Sequence, residues 1–252
     1  MYLDKKTINY NATTGETHEI TFHDLLTTGH NMDKFIRSNT LFRRPDHNFK
    51  PLVSLLKRGS VVYDIGSYIG TFAIPMAIEG MKVYSFEGYP ENYRRCVKNT
   101  KPYDITNFLC AVSDKKYSIN SKFNNCTDNE LEKNNIDYYI LDDFVKENSL
   151  PFPDLVKVDI EGMETLALHG MSNLLENVRP IWSMGYHYKF YSEIEGYPGW
   201  VDVANGGFDF QKFHELDYAI FDEFGRRQRP DILNQRGGEF LFIPKEKYRV
   251  KR

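Results

Sequence analysis

No stretch of this 252-residue chain approaches the roughly 18 consecutive apolar residues that mark a membrane-crossing helix. The N-terminal run MYLDKKTINYNATTGETHEI also lacks an apolar core of signal-peptide length. Cysteine is scarce. The three present, Cys96, Cys110 and Cys126, are odd in number and contain no Cys-x-x-Cys pair, which excludes a disulfide scaffold or a zinc ribbon. These absences lead us to expect a soluble protein of the reducing cytoplasm. Charge of one sign is missing too: 32 basic and 35 acidic residues give a formal −3, so there is no broad positive field and nucleic acid is not an expected partner. No internal repeat is visible. A chain of this length can form one sizeable α/β core, and we expect a main domain over 46–252 with an N-terminal extension or cap over 1–45.

What is present centres on ten residues, Val61 to Gly70, reading VVYDIGSYIG. Val61, Val62 and Ile65 suit a strand buried on both faces, and Thr71 to Ala77 continues with helix-compatible spacing. Gly66 and Gly70 allow a tight turn and close approach of the backbone to a ligand, with amides at the helix start open to polar groups. The spacing Asp-x-Gly-x-x-x-Gly lacks a glycine at two positions of the dinucleotide fingerprint, where Asp64 and Ile69 stand. A carboxylate at the strand tip repels pyrophosphate and attracts an ammonium or sulfonium; S-adenosylmethionine carries both. A second strand, Met81 to Glu87, ends in an acid placed for ribose hydroxyls.

Further along, Pro90 and Glu91 open a helix that runs to about Asn99, and Asn107 to Val112 reads as a third buried strand. The loop after it should face the adenine end of the cofactor, through Ala111, Val112 and Ser113. Residues 115–135 read as a polar insertion before an edge strand at Ile136 to Leu141. Pro153 to Asp159 is the fourth core strand, Pro180 to His187 the fifth, and Tyr218 to Phe221 and Glu239 to Ile243 close the sheet. The fold this order predicts is a doubly wound, mostly parallel seven-stranded sheet, Rossmann-like, with helices on both faces. Asp159, Glu161 and the 64–70 turn then meet at one crevice, on the carboxyl edge of the strands. Residues 1–45 read as short strands or a cap; the spacings of His18, His23 and His30 do not suit metal ligation.

With the strands placed, VVYDIGSYIGTFA, YSFEGYPENYRRCVKN, LCAVSD, LDDF, PDLVKVDIEGMETLALHGM, a His after the fifth strand and EFLFIP resemble, in order over roughly residues 50–244, the FkbM-type methyltransferase family. LVKVDIEGMETLALHGM is the most specific segment. The resemblance implies an S-adenosylmethionine-dependent O-methyltransferase, in a family that often modifies hydroxyls of sugars or small polar metabolites. It implies that Asp64, Gly66, Gly70 and Glu87 bind cofactor and that Asp159, Glu161 and His187 lie beside the transferred methyl. Ser67, Tyr68 and Gly88 join the cofactor set by their place in the two turns. Family members commonly carry an acid two residues before the His, where this chain has Gly185.

An acceptor hydroxyl has a proton to lose, and His187 reads as a general base because a free imidazole titrates near about 6.5. Asp159 could serve instead, or hold the cofactor's ammonium. Asp159 with Glu161 could also grip a divalent ion such as Mg²⁺, whose hard character favours oxygen ligands. Aromatics, with 17 Tyr and 18 Phe, cluster between Tyr186 and Phe213. Tyr186, Tyr188, Tyr191 and Trp200 are the acceptor candidates, offering faces for stacking and polar tips for hydrogen bonds, although a lid, core or homodimer contact would use the same residues. Two rivals stay open: a nucleotide- or NAD-dependent α/β enzyme, and a cofactor-binding module without catalysis.

Overall fold

The computed structural model describes residues 2–27, 31–39, 41, 49–121, 134–187, 210–234 and 237–248. In chain order the elements are β1 (Tyr2–Asn11), β2 (Thr17–Leu26), α1 (Asn31–Arg37), α2 (Phe49–Ser54), β3 (Val61–Ile65), α3 (Ala73–Ile78), β4 (Lys82–Glu87), α4 (Pro90–Thr100), β5 (Ile105–Leu109), β6 (Ala111–Val112), β7 (Tyr117–Ser121), β8 (Asn134–Tyr139), α5 (Leu141–Glu147), β9 (Leu155–Val158), α6 (Glu164–His169), β10 (Ile181–Tyr186), α7 (Gln211–Glu215), β11 (Tyr218–Asp222), β12 (Arg227–Gln228) and β13 (Gly238–Pro244). A π-helical turn occupies Leu174–Val178 and a 3-10 turn Pro230–Asn234. No helix of the described residues is long and apolar enough to cross a membrane.

The chain divides into two compact units. The first holds residues 1–60, 67–111 and 118–137. In it, β1 and β2 form an antiparallel hairpin with Ile8 opposite Ile20 and Tyr10 opposite His18. Ile8, Tyr10, Ile20 and Phe22 are buried while their neighbours stay polar, the period-two pattern of a half-buried strand pair. The short strands expected in residues 1–45 are thus two ten-residue strands. Glu79 fastens the hairpin from the end of α3, accepting from the Tyr10 hydroxyl at 2.6 Å and the Thr13 amide at 2.8 Å. β4 and β5 pair in parallel, Val83 opposite Ile105 through Glu87 opposite Leu109. The helix α4 begins on Pro90, whose fixed φ suits a first helical position, and carries Glu91 in its first turn and Lys98 in its last, as the helix dipole favours.

The second unit holds residues 61–66, 112–117 and 138–252. Its strands run β12-β11-β13-β10-β9-β3. β9 is parallel to both β3 and β10, whereas β13 is antiparallel to β10 and to β11. Leu155, Val156 and Val158 are buried, as a strand covered on both faces requires. Phe213 of α7 lies stacked 4.2 Å from Phe242 and meets Tyr218 and Trp182 edge-on. Each ring so buried contributes about 1.5–3 kcal/mol.

Counting both units, the main sheet has eight strands rather than seven. The extra one is β12, two residues inside what reads as a simple connection between the closing strands. The expected third strand is divided at Cys110 into β5, on the main sheet, and β6, in a separate three-stranded sheet.

Candidate active site

In the second unit the register sets the chemistry. Asp64 lies opposite Lys157, and Ile65 and Met184 flank Val158 on either side, so the chain leaves β9 at Asp159 between two neighbouring strand ends. The Asp159 amide donates to the Ile65 carbonyl at 3.0 Å. Gly66 has φ 84, and a Cβ there would run into the Asp159 carbonyl oxygen and come 2.8 Å from Ile160 Cγ2. Only glycine satisfies both demands. Gly185 gives room of another kind: a Cβ on it would meet Asp159 Cγ and Oδ1 at 2.9 Å. The space that a side chain at 185 would enter is therefore taken by the Asp159 carboxylate.

The turn beyond Asp159 is held open by unusual backbone, with Glu161 at φ 55 and Gly162 at φ 100. A non-glycine residue in that region costs about 1–3 kcal/mol and persists where surrounding bonds enforce it. Here Glu164, on the first turn of α6 and 1% exposed, supplies them. Its carboxylate accepts the amides of Ile160 at 3.1 Å and Gly162 at 3.1 and 3.2 Å. It also bonds the His187 ring through Nδ1 at 3.0 Å and accepts the His187 amide at 3.4 Å. The opposite ring nitrogen, Nε2, then faces Asp159 Oδ1 at 3.8 Å and Glu161 Oε2 at 3.5 Å. Lys157 completes the group, with Nζ 3.3 Å from Asp159 Oδ2 and 3.8 Å from Asp64 Oδ1.

Burial opposes a charge on His187, yet the hydrogen bond to Glu164 and the charges of Glu164, Asp159 and Glu161 outweigh it and raise its pKa to about 9. Near neutrality the imidazole holds a proton rather than taking one, unlike the free imidazole the sequence argument assumed. Burial pushes the Glu161 carboxyl above its usual range, aided by Asp159 and opposed by His187. Glu239, across from Gly185 on β13, rises to about 7 by desolvation and the Asp159 charge. Burial also works against the Lys157 charge, but Asp159, Asp64 and Glu239 more than offset it and its pKa goes up. Asp64 is fully buried beside this ammonium, and the Asp159 side chain is about one-third exposed.

One ligand atom each from Asp159, Glu161 and His187 lies within 4.8 Å of the others, a spacing that a metal ion could draw together. The buried carboxylate behind His187 is the partner that metal-bound imidazoles ordinarily have. The Lys157 ammonium acts against such an ion by already neutralising Asp159.

In the first unit, Glu87 ends β4 with both carboxylate oxygens engaged by backbone: Oε2 accepts the Tyr68 amide at 2.8 Å and Oε1 the Tyr89 amide at 2.9 Å. Ser67 is buried, its amide 3.2 Å and its hydroxyl 3.3 Å from the Phe86 carbonyl, and it accepts from Ser85 Oγ at 2.6 Å. It shapes the turn from inside. Gly70 donates to the Ser67 carbonyl at 2.8 Å, and a Cβ on it would press on Thr100 Cγ2 at 2.9 Å. Gly88 admits Ala111, whose Cβ would lie 2.6 Å from a Cβ at 88. In the other unit, Val112 and Ser113 are buried, with the Ser113 amide donating to the Tyr139 carbonyl at 2.9 Å. Of the acceptor candidates, Tyr186 is 9% exposed and packs edge-on against Phe210 at 5.1 Å. Tyr188, Tyr191 and Trp200 lie outside the described residues.

Glu164 and Lys157 are the residues that the sequence reading missed. Glu164 had a signal, an acid on the first helical turn two residues after a glycine. Lys157 had none, since a lone lysine in LVKV reads as the solvent-facing position of a strand.

A sheet with parallel centre strands and a glycine turn after β3 is a Rossmann-like arrangement. Residues 64–227 match the methyltransferase FkbM domain, and the chain belongs to that family. The hexuronic acid methyltransferase AglP of Haloferax volcanii is 27% identical over 135 residues, which is 50% of this chain and 56% of that protein. The chain thus spans little more than half of that curated relative. The crystal structure of methyltransferase FkbM from Methylobacillus flagellatus KT superimposes with a TM-score of 0.53 at 19% identity, covering 79% of this chain and 48% of the other. That likeness supports the fold.

Proposed function

We propose that the protein transfers a methyl group from S-adenosylmethionine to a hydroxyl of a small polar acceptor, a sugar or glycan precursor, with residues 46–252 as the methyltransferase domain. The observation that carries the cofactor half is Glu87, held at the tip of β4 by the Tyr68 and Tyr89 amides, so that its carboxylate is fixed beside the glycine turn. S-adenosylmethionine would supply a methyl group already activated on a sulfonium. In this reading Glu87 accepts ribose hydroxyls, and Gly66, Gly70 and Gly88 let the backbone close around the nucleoside. Asp159 takes the cofactor's ammonium, and Ala111, Val112 and Ser113 border the adenine. Asp64 shapes the first turn. The sugar class rests on the name of the Haloferax volcanii relative. Free buried thiols at Cys96 and Cys110 suit a reducing, cytoplasmic setting.

For the proton, Glu161 is the acceptor. Its carboxyl pKa is raised by burial while its side chain is half exposed, whereas His187 already holds a proton and keeps Nε2 within 3.5 Å of it. Positioning the hydroxyl between these groups supplies the remaining acceleration, because the donor needs no further activation. A second reading is favoured by the Asp159–Glu161–His187 grouping: a divalent ion there would acidify the acceptor hydroxyl. Calorimetric titration with Mn²⁺ distinguishes the two, since binding that vanishes in Glu161→Gln would support the metal and no binding would leave proton transfer to Glu161.

The decisive experiment is titration calorimetry with S-adenosylhomocysteine and with NAD, on the wild type and Glu87→Ala. Micromolar binding of the adenosyl ligand, weakened about tenfold or more in the variant, supports the reading. Preference for NAD would overturn it. A screen of hexuronic acids and neutral sugars, read by mass gain of one methyl, then tests the acceptor class.

A further inference from the structure

The N-terminal hairpin and α1 contribute no residue to either cluster described above, yet buried polar bonds lead from them to the first turn. Asp33 of α1 is fully buried. Its Oδ1 accepts the Leu26 amide at 2.9 Å and pairs with Arg95 Nη2 at 2.5 Å. Its Oδ2 accepts the Tyr68 hydroxyl. Arg95 also lies over the Tyr68 ring, 5.2 Å from its centroid, with Nη1 3.3 Å from the hydroxyl. A second route starts from β2. The His23 amide donates to Asn99 Oδ1 at 2.8 Å, and Asn99 Nδ2 donates to the Ile69 carbonyl at 3.0 Å. Both routes end on adjacent residues of one turn.

That turn needs holding. Tyr68 sits at φ 54, a conformation that costs a side-chain-bearing residue about 1–2 kcal/mol, and it is this backbone that aims the Tyr68 amide at Glu87 Oε2. With the ring pinned at its far end by Asp33 and Arg95, and the next carbonyl fixed by Asn99, a relaxed turn would have to break buried, charge-assisted bonds. We propose that the N-terminal segment is a brace for the cofactor turn, with Asp33 as the positioning residue that, through Tyr68, keeps Glu87 set for the ribose. The inference rests on the cofactor reading of Glu87 given above.

The test uses the full chain with S-adenosylhomocysteine. Tyr68→Phe removes only the hydroxyl and Asp33→Asn weakens the whole junction. Glu79→Gln serves as control, because it loosens the same hairpin at Tyr10 and Thr13 without touching the turn. Affinity reduced about threefold in Tyr68→Phe and tenfold in Asp33→Asn, with turnover at saturating cofactor preserved and Glu79→Gln binding as the wild type does, is the expected result. Hydrogen exchange provides a readout that needs no variant of the junction. The Leu26 and His23 amides should exchange more slowly once the ligand is bound, and this slowing should be lost in Glu87→Ala. If Asp33→Asn does not fold, Tyr68→Phe and the exchange data decide. Affinities in Tyr68→Phe equal to those of Glu79→Gln, or exchange at Leu26 indifferent to ligand, would overturn the brace. Absence of binding by the wild type would instead overturn the cofactor reading beneath it.

Discussion

The surroundings of Glu87 and those of His187 solve opposite problems with the same residue type. Glu87 is a single carboxylate held by two backbone amides, and the turn around it is shaped by glycines and close packing. Around His187, Asp159, Glu161 and Glu164 crowd one imidazole and one ammonium, and these carboxylates hold the His187 pKa up. The first arrangement is the one we assign to the cofactor's ribose; the second, with its charges crowded around one imidazole, is the one we assign to the proton, although Asp159 within it also serves the cofactor's ammonium in our reading. Glu87 and Glu161 are thereby separable by substitution.

The largest effect that would break this division is at Glu161. Glu161→Gln should lower turnover by about 100-fold or more, the usual worth of a positioned proton acceptor, while leaving S-adenosylhomocysteine affinity within about twofold. A variant that loses affinity as well would mean that the two regions are not separate. Next comes Gly66→Ala, where positive φ and a collision with the Asp159 carbonyl should cost more than about 3 kcal/mol, read as a lowered urea midpoint. An unchanged midpoint would refute the close approach.

Glu164→Gln sharpens the contrast on the catalytic side. It removes the main partner of His187, whose pKa should fall from about 9 toward the ordinary imidazole value, as followed by the ring proton shifts in NMR. Stability should follow the same group. Because its pKa is raised on folding, the stabilisation it gives is complete below about pH 6.5 and is lost as pH rises through about 9. The wild type should therefore lose stability relative to His187→Asn across that window, by up to about 3 kcal/mol. Parallel curves would show that His187 is not held charged. The smallest effect is expected at Gly185→Ala, where ordinary backbone geometry is kept and Asp159 need only rotate away, costing about 1 kcal/mol but disturbing turnover.

How much of this was legible before folding depended on how local each signal is. The 61–70 turn, Glu87 and the β9 strand with Asp159 are written in contiguous residues, and the structure puts them at strand ends as anticipated. Glu164 is marked only as an acid on a first helical turn, and Lys157 has no local mark of its role, which arises from pairing: it becomes a counter-charge only when β9 lies beside Asp64 on β3. β12 is two residues long, too short for any alternation to declare it. The N-terminal hairpin did carry a pattern, Ile8 and Tyr10 against Ile20 and Phe22, but polar outer positions diluted it. The sequence shows His187 only as a histidine at a strand end; the three carboxylates that raise its pKa come from Asp159, Glu161 and Glu164, gathered by the fold.

Asp159 is confined by two residues that have nothing to confine it with. Gly66 leaves its carbonyl no clearance on one side, and Gly185 lends its carboxylate the volume of an absent side chain on the other. Volume at these positions therefore acts on a side chain located elsewhere: a methyl at 185 would displace the Asp159 carboxylate without altering any charge around it, whereas at 66 the obstacle is backbone and nothing can give way.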